Sequence, residues 1–316
     1  MTRIKFSTVR QKMLNLKKYS VVGMVLTTFI LGTTKIYAAG DGPRVFWAVP
    51  VDTNVITPMY FNIDSNYGFD NSLVVPDAKF NTDIYALMYT RAISVGGNLG
   101  SISVIVPGAK VDASLGNIPA LQGESSGLGD ITVMGVFSLM GAPAYAQKDF
   151  ASYTPETIVD LLVAVTAPTG EYDADKSINI GTNRWSFRVG APIMHFFSTG
   201  PGNTTSLEVQ PSVTFFTDND DALLEQAPLY RLEAHVTHDF NMMLWGSVDA
   251  MYTTGGETTV NGLDKDNSQR SLGLGVSLGA FFSPTIGMTL SYGEIVSNNE
   301  HSQDGSMFRV TGKYLF

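Results

Sequence analysis

From about residue 56 to the C-terminus, apolar and polar positions alternate with period two in segment after segment. In Tyr230–Thr237 one parity holds Tyr, Leu, Ala and Val, and the other Arg, Glu, His and Thr. Leu207–Phe215, Arg184–Val189, Leu272–Ala280 and Phe308–Phe316 repeat the arrangement. Successive side chains of a strand point to opposite faces, so each segment has one apolar and one polar face. About twelve strands are predicted, near 56–64, 82–94, 98–108, 128–140, 157–167, 183–197, 205–217, 229–239, 242–253, 269–282, 286–297 and 306–316. Arg44–Val51 competes with the first of these, or precedes it as a short plug or strand.

The connections add a second signal. Long ones, near 65–81, 109–127, 168–182, 218–228, 254–268 and 298–305, alternate with shorter ones at Val95–Gly97, Gly141–Glu156, Ser198–Thr204, Asp239–Asn241 and Ser283–Thr285. Gly141–Glu156 is long enough for a short helix. Long loops at one end and short turns at the other form the pattern of an outer-membrane barrel, with both chain ends on the short-turn side. A secreted β-sandwich would also alternate. Three features favour the barrel: aromatics at the strand ends (Trp185, Tyr230, Tyr252, Tyr292, Tyr314, Phe316), a chain that stops on a strand, and charged residues along one face of many strands. Closure leaves no unpaired edge in lipid. The expected fold is all-β: a transmembrane antiparallel β-barrel of about 12 strands, preceded by a cleavable signal peptide.

Charge divides the chain in two. Residues 1–38 carry Arg3, Lys5, Arg10, Lys12, Lys17, Lys18 and Lys35 and no acid, leaving 13 basic against 29 acidic residues beyond them. Val21–Gly32 is an apolar run of 12, followed by Thr33–Ala39 ending in small residues. This basic–apolar–small order is that of a secretory signal, and 12 residues fall short of the roughly 20 of a spanning helix. Residues 1–38 are therefore read as signal peptide, 39–316 as an outer-membrane β-barrel, and 39–55 as a periplasmic or plug segment. The absence of cysteine excludes disulfides, Cys-ligated metal and a thiol nucleophile. An acidic chain without a basic stripe is a poor nucleic-acid binder. Tyr314 and Phe316 fit the terminal signal read by the barrel assembly machinery, with Gly312 one residue from its usual place.

If Trp185, Phe187, Tyr230 and Val236 face lipid, parity turns Arg184, Arg188, Glu208, Arg231, Glu233, His235, Asp249, Arg309 and Lys313 into the lumen. A charge on the lipid face near the midplane costs about 2–4 kcal/mol. There these groups either line a permeation path or satisfy one another and close the barrel. Trp245 and Met251 share the inward parity, and Trp245 could meet an aromatic solute. The acidic loops (Glu171, Asp173, Asp175; Asp218, Asp220, Asp221; Glu257, Asp264, Asp266) read as solvated, with bridging to lipopolysaccharide through divalent ions as the alternative. The four histidines, His195, His235, His238 and His301, are followed two positions on by Phe197, Thr237, Phe240 and Gln303. None is the serine that a barrel lipase would need. No G-x-S-x-G elbow occurs, and His235 and His238 fall on opposite strand faces. No catalytic residue, metal or cofactor is expected.

Several motifs occur in order: Gly127-Leu128-Gly129-Asp130, Ala167-Pro168-Thr169-Gly170-Glu171-Tyr172-Asp173, and Ile178-Asn179-Ile180-Gly181-Thr182-Asn183-Arg184-Trp185-Ser186-Phe187. Asp218-Asn219, Pro228-Leu229-Tyr230, Trp245 and Gly255-Gly256-Glu257-Thr258 follow. The series resembles the transporter-like outer-membrane family labelled as involved in the meta-pathway of phenol degradation, over most of the chain. The resemblance implies a porin-like barrel in the outer membrane of a Gram-negative bacterium. It implies a channel or passive transporter for small hydrophobic or aromatic solutes. The alternative is a closed structural barrel whose outer loops bind lipopolysaccharide or a partner. The motifs also have a structural reading at the outer rim: Asp130 can bond neighbouring amides, and Pro168-Thr169-Gly170 ends a strand.

Overall fold

A computed structural model describes residues 40–66, 78–115, 123–176 and 178–316. The expected signal peptide, 1–38, lies outside the described residues. Twelve antiparallel strands form a closed barrel. In chain order they are β1 (Asn54–Ser65), β2 (Ala78–Val95), β3 (Asn98–Leu115), β4 (Gly123–Leu128 and Thr132–Met140), β5 (Thr157–Thr166) and β6 (Ser186–Gly190 and Ile193–Ser198). There follow β7 (Thr205–Phe216), β8 (Leu229–Asp239), β9 (Leu244–Gly255), β10 (Gln269–Ser283), β11 (Ile286–Asn298) and β12 (Gly305–Leu315). β12 pairs with β1 from Val55↔Leu315 to Ser65↔Gly305, which closes the ladder. Among the described residues no helix is long and apolar enough to cross a membrane. The barrel crosses with its strands, whose 10 to 18 residues meet the roughly 9–11 that a tilted span needs.

The outward faces carry Leu87, Val104, Val133, Val163, Leu232, Val248 and Leu290, all exposed. In water so large an apolar surface would aggregate; in lipid it is the solvated surface. Aromatics ring both ends, Trp185, Tyr230, Tyr252 and Tyr292 on the loop side and Phe197, Phe240, Phe282, Tyr314 and Phe316 on the turn side. Tyr314 stacks on Phe316 with centroids 5.5 Å apart.

Two strands are split, each beside a proline. In an antiparallel ladder a residue's N–H and C=O point to the same neighbour, and proline lacks the N–H. Pro107 accepts from Gly129, where β4 breaks; Pro211 accepts from Ala191, where β6 breaks. The missing donors explain both interruptions. Arg44–Val51 forms no strand. A one-turn helix, α1 (Gln147–Phe150), lies in the long turn between β4 and β5. In the outer loops Leu224–Gln226, Thr258–Val260 and Leu263–Asp264 form a small three-stranded ribbon.

Candidate functional site

The inner wall has two halves. β7, β8, β9 and β12 contribute Glu208, Gln210, Glu233, His235, Asp249 and Arg309, all buried. β4, β5 and β6 turn Met134, Val136, Ile158, Leu162, Ala164, Met194 and Phe196 to the same interior. The alternation of polar-in and apolar-out that patterns the first half therefore fails in the second, where the inner face is largely apolar too, with Ser138 and Asp160 as its buried polar members.

Residues 40–50 run between the halves, toward the short-turn end. Their backbone and polar side chains meet the charged wall. The Asp41 amide donates to Glu233 Oε2 at 2.9 Å, and the Arg44 amide to Glu208 Oε2 at 2.8 Å. Arg188 approaches Asp41 at 3.0 Å and Glu233 at 3.5 Å. Gln210 donates to Asp41, Arg309 to the Gly40 and Asp41 carbonyls, and Lys313 to the Arg44 carbonyl. Arg44 reaches Asp239 at 2.6 Å and Thr237, and its guanidinium lies 4.1 Å and 4.4 Å from the Trp47 and Trp245 ring centroids. On the other side Phe46, Trp47 and Ala48 pack against the cluster of Ala142, Ile158, Met194 and Phe196. The segment is matched to both walls, and it fills the lumen where they face.

A chain of polar contacts continues around the wall. His235 on β8 meets Asp249 on β9 at 2.8 Å, Ser277 on β10 donates its one hydroxyl proton to Asp249 at 2.7 Å and lies 2.9 Å from the Ser291 hydroxyl on β11, and Arg309 on β12 donates to Ser291 at 3.3 Å. Direct and diagonal cross-strand neighbours carry it. Trp245 is buried over Gly279 of β10, where a Cβ would collide with the indole.

Most of the residues expected in the lumen are brought together here: Arg188, Glu208, Glu233, His235, Trp245, Asp249, Arg309 and Lys313. Arg231 lies on β8 with the same parity as Glu233. Arg184 does not join them. It precedes β6 rather than lying on it, donates to Gln226 of the outer ribbon at 2.8 Å, and sits 4.4 Å from the Phe216 ring centroid. One face of Trp245 is taken by Arg44. The alternation did not reveal Asp41, Arg44 and Trp47, because they lie outside any strand. Asp160, on the inner face of β5, was missed because its strand reads as a nearly continuous apolar run; such a run itself signals burial on both faces.

The outer rim is held by Asp130, at the break in β4. Its carboxylate accepts from Gly170 N at 2.7 Å, Thr182 N at 2.9 Å and Thr182 Oγ1 at 2.6 Å. Gly170 and Gly181 approach so closely that a Cβ on either would meet the other's backbone. Ile180 of this loop is buried against Ala109 and Val111. Asp130→Ala leaves three donors without their acceptor, a loss on the order of 2 kcal/mol. It should raise the proteolytic cleavage rate within 167–185 by at least about tenfold through local opening. An unchanged rate would show that the apolar contacts alone hold the loop.

Below the filled middle, at the short-turn end, lies a cavity of about 250 Å³. Phe46, Trp47, Trp245, Met88, Leu99 and Val136 line it, with Thr57, Ser138, Asp160 and Lys313 among the polar groups.

The family model described as "Putative MetA-pathway of phenol degradation" matches residues 64–305. The crystal structure of the COG4313 outer membrane channel from Pseudomonas putida F1 is similar, with a TM-score of 0.71 at 19% identity, covering 87% of this chain and 99% of that one. A KdgM porin in complex with disordered oligogalacturonate follows at 0.46 and 8%, covering 82% and 98%. The CymD monoaromatic hydrocarbon channel stands at 0.42 and 10%, covering 84% and 88%. No curated protein sequence matches the chain.

Proposed function

The chain belongs to this family of outer-membrane barrels associated with phenol degradation, and from that premise we propose that it passively transports small hydrophobic or aromatic solutes. One observation supports the reading above others. The lumen is not a water-filled bore: residues 40–50 and the charged wall occupy its middle, and the open volume beside them is lined largely by aromatic and aliphatic side chains. A hydrated ion or sugar gains nothing from such a lining; an aromatic ring gains about 25 cal/mol for each Å² of apolar surface removed from water. The solute would reach the cavity along the apolar inner face of β4–β6. Arg188, Glu233, Asp249 and Arg309 would hold residues 40–50 in place rather than contact the solute. No chemistry is assigned to the barrel, and its partners would be lipid, lipopolysaccharide at the outer loops, the solute, and the assembly machinery at Tyr314 and Phe316.

The filled middle also favours a second reading, a closed structural barrel. Uptake separates the two. Cells making the chain should take up radiolabelled toluene several-fold faster than cells without it, with no gain for a pentose. A heat-modifiable, correctly inserted barrel that gives no gain for toluene would overturn transport and leave the structural role.

A further inference from the structure

Two polar atoms on the walls of the 250 Å³ cavity stand out. Thr57 Oγ1, on β1, and Asp160 Oδ1, on β5, are buried and have no hydrogen-bond partner among the described residues. Thr57 is 1% exposed and Asp160 4%. A buried acceptor left unpaired costs about 1–3 kcal/mol, more when charged, and calls for an explanation.

Among the described residues lining the cavity, Asp160 is the only acid. The cations there are spoken for: Arg44 pairs with Asp239, and Lys313 donates to the Arg44 carbonyl. Those two positive charges disfavour a cationic occupant, and the Asp160 carboxylate disfavours an anionic one. A neutral hydrogen-bond donor suits the site. Phe46, Trp47, Met88 and Val136 ask for an apolar body. The volume is below the roughly 300–1,000 Å³ of pockets for drug-sized ligands, which limits the occupant to about one ring.

We propose that this cavity is a binding station for a neutral, single-ring hydroxylated aromatic, with the ring against Phe46 and Trp47 and the hydroxyl donated to Asp160. The proposal rests on the transport reading above and adds a specificity-determining residue to it. Asp160 separates a phenol from the hydrocarbon of the same shape, because a site built around a hydroxyl is left with an unpaired acceptor when the hydroxyl is missing.

The test uses the whole barrel in lipid nanodiscs and reads binding of phenol and of toluene by ligand-observed NMR. The wild-type barrel should bind phenol about tenfold more tightly than toluene, the value of one good hydrogen bond. Asp160→Leu should abolish that preference while toluene still binds. Asp160→Asn, which keeps an acceptor oxygen and the shape, should retain part of it and guards against a folding defect in the leucine variant. Equal affinities in the wild-type barrel would overturn the role of Asp160, with water then satisfying the carboxylate, and would leave transport standing. Binding of neither compound, with toluene uptake by cells intact, would overturn the station and place the solute path elsewhere. Loss of both binding and uptake would overturn the station and the transport reading together.

Discussion

Removing residues 40–50, with residues 1–39 left in place, is expected to turn a barrel with a filled lumen into a conducting one. Single-channel current in planar bilayers should rise by roughly an order of magnitude or more, because the segment occupies the width between the charged and apolar walls, and a twelve-strand interior is wider than the roughly eight-strand one that side chains alone can fill. The barrel itself should persist. Its closure rests on the β1–β12 ladder, and none of the deleted residues belongs to a strand. The groups released by the deletion, Glu208, Glu233, Arg188 and Arg309, exchange protein partners for entering water, so their loss of contacts is largely compensated. Conductance as low as that of the intact chain, from a folded and heat-modifiable barrel, would mean that the wall residues close the lumen without help.

The second large effect is expected at Glu233. This carboxylate is 2% exposed, accepts from the Asp41 amide, and faces Arg188 at 3.5 Å and His235 at 3.8 Å. Glu233→Leu removes the acceptor for the amide and leaves Arg188 with Asp41 as its remaining acidic partner. Breaking a buried pair from one side costs about 3–5 kcal/mol. The shift should appear as a lower urea midpoint for the barrel in lipid, with the slope unchanged. Glu233→Gln keeps an oxygen for the Asp41 amide and should lose distinctly less; both variants lack the charge, so the difference between them isolates the hydrogen-bond acceptor, and the loss in the glutamine variant reads the charge. A cost below about 1 kcal/mol for the leucine variant would assign Glu233 the behaviour of a solvated surface pair.

The alternating pattern located β8 at its observed bounds, Leu229–Asp239, and most of the other strands within a few residues, but it ended β3 at 108, where the strand runs on to Leu115, and began β4 at 128 rather than at Gly123. It also placed Glu208, Glu233, His235, Asp249 and Arg309 on the inner face, because a charge is too costly against lipid and a strand offers one other side. Its errors share one cause. Parity separates two faces of a strand but does not say where the strand begins, so Arg184 was set on β6 when it belongs to the outer loop layer. Nor does it say what lies opposite a face. The inner side of β4–β6 is apolar because Phe46 and Trp47 cover it, and nothing local to those strands announces that cover.

Residue types and their period by themselves determined an all-β outer-membrane barrel of about twelve strands, its loop and turn ends, its lipid face, and the identity of most charges inside it. Each of these follows from interactions of one side chain with lipid or water, which a sequence records directly. The tertiary structure alone decided that residues 40–50 lie within the lumen, that Arg44 sits between Trp47 and Trp245, that five strands share one polar chain from His235 to Arg309, and that Asp160 faces an apolar cavity. These depend on contacts between positions as much as 269 residues apart, such as Lys313 with Arg44, and only the closing of the barrel brings such positions together.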